Sequence, residues 1–180
     1  FSQNEEGTNI QKGAKLTGTL ADFNDNAFGS GNIAFDGNSP VSIANDGTFN
    51  LDLLPGASGQ LTLTGADPVD SVGVSNGSNA LRMAMGLSDP GEFDLIAADV
   101  NQDGAVTAAD AQAVFKSSAG LDSDGAVGEY VLLDKKTDYS NASLADTGYN
   151  GGVDVIASAE EVDVSLVALP LGEIGQADFA

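Results

Sequence analysis

The sequence predicts a mixed β and α fold: an antiparallel β-sandwich, a pair of loop–helix units and a C-terminal β segment. Three observations predict it. Apolar and polar residues alternate over 14–65, between turns rich in Gly, Asn and Asp. Over 66–121 the alternation gives way to strong helix formers. After 122 the strand pattern returns. The expected organisation is therefore a β-sandwich module at 1–65, a helical pair at 66–121 and a C-terminal β segment at 122–180. With 180 residues, 42% of them hydrophobic, the chain can bury a core.

The first strand is expected at Ala14 to Leu20 and the next at Asn32 to Phe35. Val41 and Ile43 share a face, as do Phe49, Leu51 and Leu53, and Asp46-Gly47 lies between the two groups. That pattern predicts a β-hairpin. Gln60 to Thr64 supplies a further strand after the Pro55-Gly56 turn. Two helices are expected, one around Ala80 to Met85 and one over Ala108 to Ala119. Met83 and Met85 lie on opposite sides of the first, so at most one belongs to a core. Tyr130 to Leu133, Val153 to Ile156 and Val162 to Val167 read as strands again.

The helical pair contains an internal repeat at a shift of about 34 residues. It places Val72 on Val106, Asn76 on Asp110, Leu81 on Phe115, Arg82 on Lys116, Gly86 on Gly120 and Leu87 on Leu121. Each copy ends with a basic residue in the last helical turn and a Gly just beyond, the usual closure of a helix C-terminus. The two copies are expected to pack as a pseudo-twofold pair.

Charge narrows the functional classes. Six Lys and Arg stand against 27 Asp and Glu, for a formal net charge of -21. So few cations cannot neutralise a phosphate backbone, which argues against nucleic acid and anionic membranes as partners. With no His and no Cys, Ser-His and Cys-His nucleophile pairs, disulfides and ordinary zinc sites are excluded. Hard cations with oxygen ligands remain, calcium (Ca2+) foremost. No apolar run is long enough for a membrane span, and residues 1–6 lack the basic and apolar regions of a signal peptide. The chain therefore reads as a mature or excised piece of a larger protein.

Residues 99–110 have the spacing of a twelve-residue calcium loop, which needs oxygen donors at positions 1, 3, 5, 7, 9 and 12 and Gly at 6. Asp99, Asn101 and Asp103 fill the first three places, Ala105 offers its carbonyl, Thr107 acts directly or through water, and Asp110 closes the set. Gly104 stands sixth, and Val106 is the apolar anchor at the eighth place. Three crowded carboxylates repel one another, and a divalent ion removes that cost. Thr107 and Asp110 also fit a helix-capping box, and the Asx-rich stretch also fits a plain turn. Capping and ligation are compatible, since the helix of such a loop begins at the ninth place.

The stretch from Ala98 to Ala111 resembles the calcium repeat of type I dockerins. The resemblance implies a dockerin-like, EF-hand-like pair of loop–helix units, Asp rather than Glu at position 12 (Asp110), and a Lys or Arg at position 18 (Arg82 and Lys116). It implies an extracellular or cell-surface setting in bacteria. It further implies a cohesin-like protein as partner, bound through the helix faces around Arg82 and Lys116, or contact with neighbouring domains of a parent protein. With its β flanks, the chain is also similar to dockerin-like segments of very large secreted adhesins of aquatic bacteria.

The first copy, 65–76, departs from the pattern: it lacks acids at positions 1 and 5 and Gly at 6. Either it has lost its ion or it uses Asp67, Asp70 and Asn76 irregularly. The alanines at 108 and 109 offer little polar specificity for a docking face. Asp146-Thr147-Gly148 matches the triplet of aspartic proteases, but no partner triplet exists and a turn is expected there. Asp122, Asp124 and Glu129 are read as an acidic turn in preference to a second, poorer calcium site, and Lys135-Lys136 as a solvated loop in preference to a partner contact. With 6% aromatic residues and no Trp, a sugar cleft is not expected. The expected function is a non-catalytic calcium-binding structural or interaction module, its ion locking the helical pair to the β framework.

Overall fold

The computed structural model describes residues 13–158 and 161–175. It is a mixed α and β fold of two four-stranded sheets and three helices. The strands are β1 (Ala14–Ala21), β2 (Asn32–Phe35), β3 (Val41–Ser42), β4 (Thr48–Leu53), β5 (Ser58–Thr64), β6 (Tyr130–Asp134), β7 (Val153–Ile156) and β8 (Val162–Pro170). The helices are α1 (Val74–Ala84), α2 (Glu92–Ala98) and α3 (Ala108–Ser118). One sheet runs β4-β1-β8-β6 and the other β3-β2-β5-β7.

Alternation does its expected work in the first strands. In β1, Ala14, Leu16 and Leu20 point inward; in β4, Phe49, Leu51 and Leu53 do so. These join Ile33, Phe35 and Leu61 of the other sheet in one core, so the inner faces of both sheets share it. Gly18 follows from this packing, because a Cβ there would sit 2.2 Å from the Phe49 ring.

The segments 1–65 and 122–180, drawn apart along the sequence, are interleaved in space. β8 lies between β1 and β6, with Leu16 to Ala21 in parallel register against Val162 to Val167. β7 extends the other sheet through antiparallel pairing with β5. The pairing that joins the segment expected as an antiparallel sandwich to the C-terminal β segment, β1 with β8, is parallel.

The expected hairpin is also corrected. The tight turn forms, with Ala44 N–H donating to Thr48 O at 2.9 Å and Gly47 N–H to Ala44 O at 2.8 Å. Its two arms then part: β3 pairs with β2, and β4 pairs with β1 in the other sheet. Both arms need a buried face, and this turn is a corner between the sheets. Gly29 allows the close approach, since a Cβ there would lie 2.7 Å from the Asn45 Cα.

β6 and β8 are covered on both sides. Leu132 faces the shared core, while Val131, Leu133, Leu169 and Leu171 face a second one built with Phe93, Ile96 and Ala97 of α2. A third cluster joins Ala80 and Met83 of α1, Leu95 and Ala98 of α2, and Val106, Ala111 and Ile174. Met83 is buried and Met85 exposed, as their spacing implies. α2 was not foreseen as a helix. Its first turn is tied by the Asp94 carboxylate, which accepts from the Gly91 N–H at 3.2 Å and the Gly175 N–H at 2.6 Å.

The 34-residue repeat maps α1 onto α3 end for end. Both helices close alike: Gly86 and Gly120 are left-handed, at φ 67° and 69°. Leu87 N–H reaches Arg82 O at 2.8 Å, and Leu121 N–H reaches Lys116 O at 2.9 Å. The two helices pack together, with Gly77 against the Phe115 ring.

Candidate metal centre

α2 delivers Asp99 to the start of the loop, and α3 begins at its end with Asp110. Between them the chain makes a tight coil through two left-handed residues, Gln102 at φ 57° and Gly104 at φ 90°. The Asp99 carboxylate accepts the N–H of Asp103 at 3.1 Å and of Gly104 at 2.9 Å. Asn101 Oδ1 accepts the Asp103 N–H at 2.9 Å, its Nδ2 donates to Asp103 at 3.0 Å, and Asp103 accepts the Ala105 N–H at 3.0 Å. Asp110 accepts the N–H of Asn101 at 3.3 Å and of Thr107 at 2.8 Å. Thr107 caps α3 by accepting the Ala109 N–H at 3.2 Å. The capping box and the loop thus coexist, with Asp110 in both.

Burial singles the loop out. Among the described residues the buried polar and charged side chains are Asp99, Asp110 and Thr147, and all three meet here. Asp99 is 4% exposed and Asp110 0%. Loss of hydration raises the Asp99 pKa, opposed by the Gly104 N–H; the charges of Asp110 and Asp103 raise it further. Among the described residues, no Lys or Arg is ion-paired with either buried carboxylate: Lys116 pairs with Asp124 and Lys135 with Asp25. Two buried carboxylates without a described cation are an unfavourable arrangement that a bound cation would relieve.

The donors fit a hard divalent ion in kind. Asp99, Asp103 and Asp110 would supply carboxylates, Asn101 an amide oxygen, Ala105 a carbonyl and Thr107 a hydroxyl. Among the described residues, no three carboxylates are gathered closely enough to hold a metal ion, so Asp99, Asp103 and Asp110 match a calcium loop in kind and spacing rather than as an assembled cluster.

In the first copy, the alternative set of Asp67, Asp70 and Asn76 shows none of the burial or bonding of the 99–110 loop. Asp67 and Asp70 are exposed, Asn76 accepts only a long 3.5 Å contact from the Ser75 hydroxyl, and the sixth place holds Asp70 without the left-handed turn. Lys116 lines an open groove together with Leu81, Ala111, Phe115 and Leu121, and Arg82 is not part of that lining. Arg82 donates to Leu87 O at 3.4 Å, and Lys116 sits 3.1 Å from Asp124. Leu81, Leu87 and Leu121 are exposed around them.

Thr147 was missed as a site residue. It lies in the long connection between β6 and β7, and its Oγ1 donates to Asp99 Oδ2 at 3.4 Å. The one local signal was the Asp146-Thr147-Gly148 triplet, which forms the expected turn: Gly148 N–H donates to Asp146 Oδ1 at 2.9 Å. No protein-family model, no curated protein and no solved structure matches this chain.

Proposed function

We propose that this chain is a non-catalytic, calcium-binding structural module of a secreted bacterial surface protein. Its two sheets are read as a sandwich, and the ion held by residues 99–110 locks a dockerin-like helical pair against it. The observation that carries this reading is the burial of Asp99 and Asp110 in the loop without a described cation beside them. The likeness of 98–111 to a dockerin repeat supports calcium as the ion and an extracellular setting.

Thermal melting with calcium and with chelator tests it. Calcium at a hundredfold excess over its Kd adds about 2.7 kcal/mol to a native state that binds one ion. For a chain of this size that raises Tm by roughly 5–10 °C. Sodium chloride at matched ionic strength controls for screening of the net charge. Asp110→Asn should abolish the calcium-specific rise, and an unchanged Tm in the parent chain sinks the reading.

A second reading is a true dockerin that anchors its parent through a cohesin-like partner. The exposed apolar groove beside Lys116, lined by Leu81, Phe115 and Leu121, favours it. Retention on immobilised cohesin domains in calcium buffer, lost on Arg82→Glu with Lys116→Glu, would support it; no retention would exclude it.

A further inference from the structure

We propose that segment 143–147 is a calcium-dependent latch on the loop, and that Thr147 is the residue that positions Asp99 for the ion. The inference rests on the calcium reading above and names which part of the molecule the ion holds in place. Two backbone hydrogen bonds bracket the sixth and eighth places of the loop. Thr147 N–H donates to Gly104 O at 2.9 Å, and Val106 N–H donates to Leu144 O at 2.8 Å. The segment is itself closed by reciprocal bonds, Ser143 N–H to Asp146 O at 2.7 Å and Asp146 N–H to Ser143 O at 3.1 Å. Leu144 packs into the cluster that holds Val106 and Ala111.

The repeat makes this placement informative. Val72 is the counterpart of Val106, yet Val72 lies in the second core and Val106 in the third. The calcium loop is therefore backed by 143–147, a piece of chain from outside both copies. Thr147 is 0% exposed, and its hydroxyl meets the carboxylate oxygen of Asp99 that also accepts from Gly104. A hydroxyl there, at a long 3.4 Å, stands where it can orient the carboxylate, as outer partners of metal ligands do. The connection carrying it, between Asp134 and Val153, has no helix or strand of its own. Its order depends on such docking contacts, so it belongs to the part of a fold that opens most easily.

Amide exchange on the parent chain and calcium titration of two variants test the latch. With calcium bound, the Val106 and Thr147 amides should exchange slowly; with chelator both should speed up together, while amides of β1 stay protected. Thr147→Val should weaken calcium binding by roughly tenfold or more. Its melting in chelator should match that of the parent, and Thr147→Ser should restore affinity. If the parent binds calcium but exchange at Val106 and Thr147 ignores the ion, or Thr147→Val binds as the parent does, the latch is wrong and the calcium reading stands. A parent chain that binds no calcium overturns both.

Discussion

Gly104 and Gln102 share a left-handed backbone but not the means of adopting it. A Cβ added at Gly104 would meet nothing within 4 Å, so any cost of substitution there is conformational rather than steric. Gly104→Ala should therefore lower folding stability in chelator by about 1–2 kcal/mol, read as a shifted urea midpoint with an unchanged slope. Loss of more than that would mean that the loop contacts its surroundings in a way its open flank denies. Gly104 was legible from its place in the spacing, as were Asp99 and Asp110. Gln102 was not, because nothing in its side chain marks φ 57°; the coil that brings the Asp103 and Gly104 N–H groups onto Asp99 imposes it. Thr147 was illegible for a different reason. Its partner lies 48 residues away, and no local period connects the two.

At the scale of elements, the repeat was read correctly because helix ends carry chemistry that spacing preserves. Gly86 and Gly120 close α1 and α3 by the same pair of bonds. α2 escaped because its seven residues, apolar at 93 and at 95–98, suit a short buried strand as well as a buried helix. The hairpin failed because alternation tells which side of a strand is buried, not which strand lies beside it. Packing between the repeats gives a sharper test. A Cβ at Gly77 would fall 2.7 Å from the Phe115 ring, whereas Ala in a helix interior gains about 1 kcal/mol over Gly. Overpacking of a filled interface costs about 1–3 kcal/mol, so Gly77→Ala should be net destabilising by roughly 1 kcal/mol. Phe115→Leu installs the side chain that the first copy carries at Leu81 and removes the ring. The double variant should therefore melt higher than the sum of the two single effects requires, a coupling that urea titration can read. Strict additivity would show that α1 and α3 do not meet at this point.

At the scale of the whole molecule, composition divided the chain into three parts, and strand pairing joins the outer two. β8 fills the place between β1 and β6, and its Leu166, Val167, Ala168 and Leu169 are all buried because the shared core lies on one side and α2 on the other. A near-continuous apolar run of that kind marks a strand covered on both faces. It was visible in the sequence, but its parallel partner more than 140 residues earlier was not. The consequence concerns how the module can be cut. A chain ending at Leu121 keeps the loop at 99–110 and both copies of the repeat. It loses β6, β7 and β8, and with them Leu132, Val153, Leu166 and Ala168 from the shared core and Val131, Leu133, Leu169 and Leu171 from the second. It also loses segment 143–147, with its bonds to Gly104 and Val106. If the compositional boundaries were folding boundaries, residues 1–65 would give strand signal and cooperative melting in that fragment, and calcium would raise its Tm. Interleaving predicts instead that residues 1–121 lack a cooperative transition by circular dichroism with calcium or with chelator. β1 would be left with one open edge and half its core, and ion binding can stabilise only a fold that already exists. A cooperative melt of that fragment would restore the three-part division and detach the ion's role from the sheets.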